Sequence, residues 1–161
     1  MSLPNLIEVI GVNQITHLID IRANPFSRRR EFCKASLDKT CSANGLEYLH
    51  FPELGIPARI RKSYLPGRRV ELLSLYRTVL LPNAEKAVLS LLAIAKTYNL
   101  LLLCYEMNPR DCHRWVLAQS IHAISGITVR ELRDGTELAG IESTCAGKDL
   151  PASIAAPSGG C

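Results

Sequence analysis

The chain has 161 residues, 47% hydrophobic and 21% charged, with a formal net charge of +4 and six cysteines. That length and composition suit one globular domain able to bury its own core, while the longest apolar stretches, residues 79–81 and 100–104, are far too short to span a bilayer, and no charged segment followed by an apolar one opens the chain. The cysteines lack the dense spacing of a disulfide scaffold, so they read as free thiols in a cytoplasmic protein with no membrane partner.

Taken in order, residues 6–10 read as the end of a helix closed by Gly11, and residues 17–21 (His-Leu-Ile-Asp-Ile) as a short strand. Asn24-Pro25 breaks that strand into a loop. Residues 31–43 fit a helix with Phe32, Ala35 and Leu37 near one face, stopped by Asn44-Gly45, and residues 46–51 form a second strand. The stretch 52–67 contains three prolines and two glycines and reads as a long irregular loop, a mobile cover over the sheet edge. Two helical patterns follow, 68–81 and 84–98, separated by Pro82-Asn83 with Asn83 as the N-cap. Residues 100–104 form a buried strand, a helix starts at Cys112, and residues 128–132 read as a further strand after the Gly126 stop.

Strands separated by helices predict a three-layer αβα domain of the α/β class, its sheet mainly parallel with helices on both faces. The domain is assigned to residues 1–140; residues 141–161, rich in Ala, Ser, Gly and Pro, read as a loose tail.

Charge is unevenly spread. Residues 20–77 hold 12 Lys or Arg against 6 Asp or Glu, in clusters around Arg22, Arg28, Arg29 and Arg30 and around Arg59, Arg61, Lys62, Arg68 and Arg69, so an anionic partner or a solvated basic face fits equally. The most informative segment is Cys104-Tyr105-Glu106-Met107-Asn108-Pro109-Arg110-Asp111-Cys112-His113-Arg114. It lies between a strand and a helix, where an α/β sheet opens a crevice and a helix start offers unpaired N–H groups to an anion. In a parallel sheet the residues after the first and third strands share one edge, which brings Asp20, Arg22, Ser27 and Arg28 towards Cys104, Glu106, His113 and Arg114.

These motifs carry a resemblance. Leu18-Ile19-Asp20-Ile21-Arg22 with Pro25 and Ser27-Arg28-Arg29, Gly45-Leu46-Glu47-Tyr48, Pro52-Glu53-Leu54-Gly55, and Cys104-Tyr105-Glu106 with Pro109 and Cys112-His113-Arg114 resemble the domain-of-unknown-function family 488 over residues 7–132. The resemblance implies a small bacterial or archaeal α/β protein whose activity is not established, with its retained arginine at Arg114 rather than Arg110. It also implies a further first strand ending in a Gly-His-Ser type motif; here Met1-Ser2-Leu3-Pro4 runs straight into the first helix, so that strand is expected to be missing.

Each candidate has two readings. Arg114 either binds a phosphate or carboxylate at the helix start or pairs with Asp20 or Glu106. His113 is a general acid or base or a structural histidine; Glu106 is a general base or the group that orients an arginine. Cys104 to Arg110 matches the Cys-x5-Arg loop of thiolate enzymes, but Glu106 and Pro109 inside it oppose a phosphate. A metal site from Cys104, Cys112 and His113 meets the objection that adjacent side chains on a helix point about a hundred degrees apart. Cys104 and Cys112 are therefore read as thiols and no metal is assigned.

The resulting expectation is a pocket that binds a phosphorylated or nucleotide-like small molecule through Asp20, Arg22, Ser27, Arg28 and Arg114, with Glu106 and His113 as candidate catalytic proton carriers. The alternative is a nucleic-acid-associated accessory protein that uses the basic loop. The residues name no cofactor and fix no oligomeric state.

Overall fold

In the computed structural model the described residues are 2–64, 67–106 and 108–132; the expected tail, 141–161, lies outside them. The elements are α1 (Leu3–Val12), β1 (His17–Asp20), α2 (Lys34–Ala43), β2 (Glu47–His50), α3 (Ala58–Ser63), α4 (Arg69–Leu75), α5 (Leu81–Asn83), α6 (Glu85–Ala95), β3 (Leu100–Leu103) and α7 (His113–Ser125). The three strands are parallel in the order β2-β1-β3, with His17 paired to Glu47 and Leu100. This is the three-layer α/β arrangement expected for strands joined by helical crossovers.

Side-chain alternation along β1 divides the core in two. Leu18 joins Leu6, Ile10, Leu37 and Cys41 under α1 and α2. Ile19 and Ile21 face the other way, into a larger cluster with Leu54, Tyr76, Leu91, Leu117 and Ile121 beneath α4, α6 and α7. The same alternation runs along β3, where Leu101 and Leu103 pack on the smaller cluster and Leu102 and Cys104 on the larger. β3 is half-buried rather than fully buried, because it has β1 on one side only.

Several local expectations are corrected. The first helix runs past Gly11 to Val12 and is capped by Asn13. Residues 30–32 form a 3-10 turn, and Cys33, extended at φ −75°, ψ 150°, separates it from α2. The stretch 52–67 is not irregular throughout: it holds a 3-10 turn at Pro52–Leu54 and the helix α3. Asn83 is not an N-cap; Ala84 takes that position, and the chain turns there by 87°. Before it, a π-helical turn, Tyr76–Leu80, joins α4 to α5, and this wider turn accommodates Pro82, which has no N–H to give to the helical ladder. Residues 128–132 form no strand. Among the described residues no single helix is long and apolar enough to cross a membrane.

Two glycines do what the sequence asks of them. Gly45 (φ 68°) and Gly126 (φ 72°) take the left-handed conformation that ends α2 and α7. Gly55 serves a different need: a Cβ there would lie 2.2 Å from Ala23 N and 2.8 Å from Ile21 O, so only glycine lets the 52–55 turn press against the end of β1.

Candidate functional site

The carboxyl edge of the sheet carries two polar clusters, one on each face. On the face shared with Leu18, the carboxylate of Asp20 is fully buried and Arg22 is 2% exposed. Arg22 Nε donates to Asp20 Oδ1 at 2.8 Å, Arg22 Nη2 donates to Oδ2 at 2.5 Å, and the Tyr48 hydroxyl donates to Oδ2 at 2.7 Å. Burial lowers the Arg22 guanidinium, but the hydrogen bonding to Asp20 and the charge of Asp20, with smaller contributions from Tyr105 and Tyr48, together hold it above its ordinary value. Asp20 and Arg22 thus satisfy each other in a bidentate pair. Tyr48 belongs to the Gly45-Leu46-Glu47-Tyr48 motif but is not among the expected site residues; its register opposite Leu18 puts it on the same face as Asp20.

On the opposite face the loop after β3 meets the start of α7. Cys104 Sγ and Cys112 Sγ both donate to Glu106 Oε2, at 2.9 and 3.1 Å. His113 Nδ1 lies 3.6 Å from Cys104 Sγ and 3.8 Å from Cys112 Sγ. The objection raised against a shared site fails here for a backbone reason. Cys112 is the N-cap of α7, extended at φ −125°, ψ 146°, so the hundred-degree step between successive helical side chains does not apply to it and His113. Its sulfur instead turns back and accepts from the Arg114 N–H at 3.4 Å.

The environment of this cluster is dry on one side. Cys104, Cys112 and His113 are buried, and the ring of the buried Tyr76 meets His113 edge-on with centroids 5.1 Å apart. Tyr76 is held by donating its hydroxyl to Leu54 O at 2.8 Å. The hydrogen bond with Cys112, and then burial, push the Cys104 thiol well above its ordinary range. Burial raises Glu106, but the hydrogen bonds from the two thiols, a backbone hydrogen bond and the neighbouring His113 together leave the carboxyl below its usual range. A protonated Cys104 beside a charged Glu106 is the reverse of the low-pKa thiolate that a Cys-x5-Arg enzyme needs.

A small cleft of about 50 Å³ opens over this cluster, lined by Ile56, Arg61, Arg69, Leu72, Leu73, Glu106, Asp111 and His113. Arg61 lies over the Tyr105 ring, its guanidinium 4.8 Å from the centroid, and Arg22 approaches the same ring at 5.3 Å. Arg69 Nη1 donates to the main-chain carbonyl of Asp111 at 2.8 Å. Ser27, Arg28 and Arg114 are not among the lining residues. Ser27 Oγ accepts from the Arg29 N–H at 3.1 Å and stabilises a turn, Arg28 is exposed beyond it, and the Arg114 side chain is half-buried. The structure therefore groups Cys104, Glu106, Cys112 and His113, groups Asp20 with Arg22 on the other face, and brings Arg61 and Arg69 to the first group.

The model of the family described as Domain of unknown function DUF488 matches residues 2–121. No curated protein and no solved structure matches the chain.

Proposed function

The chain belongs to the DUF488 family, and from that premise we propose that it binds a phosphate-bearing small molecule by its anionic head in the cleft over Glu106 and His113. The observation that carries this reading is the state of Arg61 and Arg69. Both reach the cleft from different helices, and neither is ion-paired among the described residues: one lies on the neutral Tyr105 ring, the other donates to a neutral main-chain carbonyl. Their charges are available to a guest, and Arg is suited to planar, forked contact with phosphate oxygens.

The two carboxylates in the lining are occupied. Glu106 accepts from two thiols, and Asp111 Oδ2 accepts from Asn108 Nδ2 at 2.7 Å. Size limits the guest as well. A buried water needs about 10–15 Å³ on this scale, so a cleft of about 50 Å³ takes one oxyanion head, with the remainder of the molecule lying outside. Glu106 and His113 face that head as proton carriers.

Calorimetric titration with inorganic phosphate and with a simple phosphomonoester tests the reading. One saturable site per chain, weakened in Arg61→Ala and Arg69→Ala, is expected. No heat with either probe, together with binding of a short DNA duplex that falls steeply with salt, would instead favour the nucleic-acid alternative.

A further inference from the structure

We propose that Cys104, Glu106, Cys112 and His113 form a binding site for one thiophilic divalent metal ion, with Zn2+ as the ion that best suits the donor set. One donor atom from each of the four residues lies within 4.8 Å of all the others. With zinc–sulfur bonds of about 2.3 Å and zinc–nitrogen or zinc–oxygen bonds of about 2.0–2.2 Å, the edges of a tetrahedron around the ion run about 3.3–3.8 Å. The two sulfur–Nδ1 separations, 3.6 and 3.8 Å, already have that length. The two sulfur–oxygen separations, 2.9 and 3.1 Å, are shorter because a thiol proton bridges each of them. Binding would release both thiol protons to solvent and put the ion where they stood; the sulfur–oxygen edges would lengthen by about half an ångström, and the widest separation in the set, up to 4.8 Å, would close by about 1 Å.

The surroundings agree with this use of the four side chains. A metal-bound imidazole ordinarily donates its second N–H to a carbonyl, and His113 Nε2 lies 3.4 Å from Ile21 O; Nδ1 is within 3.8 Å of both sulfurs, and Nε2 is itself 3.8 Å from Cys104 Sγ. The Arg114 N–H donates to Cys112 Sγ at 3.4 Å from the first turn of a 13-residue helix, a contact to the sulfur that metal binding can keep. As a plain hydrogen-bonded cluster the same groups serve poorly: two weak S–H donors share one carboxylate oxygen in a corner of the core where apolar side chains would pack better. Sulfur and imidazole donors disfavour Mg2+ and Ca2+, which take oxygen.

Glu106 and His113 are the ligands that line the cleft, so the ion would sit at its floor, with Arg61 and Arg69 in the same lining. An ion held there by all four side chains is coordinatively closed, so while it is bound Glu106 and His113 would serve as ligands and not as proton carriers. The metal site itself does not depend on the phosphate reading, because it is measured with no phosphate present.

The experiment is elemental analysis of the full chain purified under reducing conditions without chelator, followed by Co2+ and Zn2+ titration of the metal-free protein. One zinc per chain, and with Co2+ the cysteinate-to-metal absorption of a tetrahedral site, are expected. Cys112→Ser should weaken zinc binding about a hundredfold or more. Glu106→Gln, which keeps side-chain volume at the cleft side and spares the buried ligands, should weaken it about ten- to a hundredfold while leaving the circular dichroism spectrum unchanged. Folded wild-type protein that carries no stoichiometric metal and gives no sulfur-to-cobalt absorption would overturn the proposal. Equal zinc affinity in folded Glu106→Gln would overturn the four-ligand assignment.

Discussion

Cys112 and His113 are neighbours in the chain, and Cys112 Sγ and His113 Nδ1 nonetheless lie 3.8 Å apart on the same side of the backbone. The helix begins between them. Cys112 is still extended as the N-cap and sends its sulfur back over the first turn, while His113, the first helical residue, sends its ring towards the end of β1. A boundary between two backbone conformations thereby converts a sequential pair into a convergent one.

Arg69→Ala and Arg61→Ala should each weaken phosphate binding about ten- to a hundredfold, the worth of one charge-assisted hydrogen-bonding group. Neither should cost more than about 0–1 kcal/mol of fold stability, because Arg69 is exposed and Arg61 only half-buried. Calorimetry and urea unfolding on the same samples separate the two effects. Unchanged affinity in the double variant would remove the arginines from the site.

Asp20→Asn should destabilise the domain by about 3–5 kcal/mol, the usual cost of leaving one partner of a buried pair charged and alone. The partner left alone in this case would be the buried Arg22 guanidinium. Urea midpoints give the number. A loss below about 1 kcal/mol would mean that Arg22 finds water or another acceptor, and that the pair is not a structural tie.

Gly55→Ala should disturb both stability and the site. Its Cβ would meet Ala23 N at 2.2 Å and Ile21 O at 2.8 Å, both backbone atoms, so the end of β1 must shift. Overpacking of this kind costs about 1–3 kcal/mol. Ile21 O also faces His113 Nε2, so zinc affinity should fall together with the melting temperature. A destabilised variant with wild-type zinc affinity would show that the Ile21 carbonyl does not orient the ring.

Alkaline pH should weaken the fold through Cys41. Burial, and then the charge of Asp38, push this thiol from its ordinary 9.0 to about 11. A raised value in the folded state gives stability that is present below the unfolded value and is lost as pH rises through the folded one. Unfolding free energy should therefore fall between about pH 9 and 11, and less steeply in Cys41→Ala. Equal slopes in the two proteins would contradict the assignment.

Much of this could be read from the residues in order. The apolar runs at residues 17–21 and 100–104, with helices between, were enough to anticipate a parallel three-layer sheet, and Gly45 and Gly126 marked the helix ends they form. The motif from Cys104 to His113 located the cluster. The face each group takes was harder to see. Asp20 and Cys104 share the carboxyl edge, but the period of two along β1 and β3 sends them to opposite sides of the sheet, which separates the Asp20–Arg22 pair from the thiols. The arrival of Arg61 and Arg69 depends on how α3 and α4 fold over the edge, and a stretch with three prolines carries no periodic signal for that. The π turn at Tyr76–Leu80, which leads off with the tyrosine packed on His113, leaves no mark in the hydrophobic pattern either.

The central claim is that the loop after β3 and the start of α7 build one site from two sulfurs, an imidazole and a carboxylate. X-ray absorption at the zinc edge of the zinc-loaded chain tests it most directly. The account predicts two sulfur neighbours at about 2.3 Å and two nitrogen or oxygen neighbours at about 2.0–2.2 Å, with one sulfur lost in Cys112→Ser. A shell of nitrogen and oxygen alone would contradict it, because zinc would then be held elsewhere on the surface and the buried thiols would play no part.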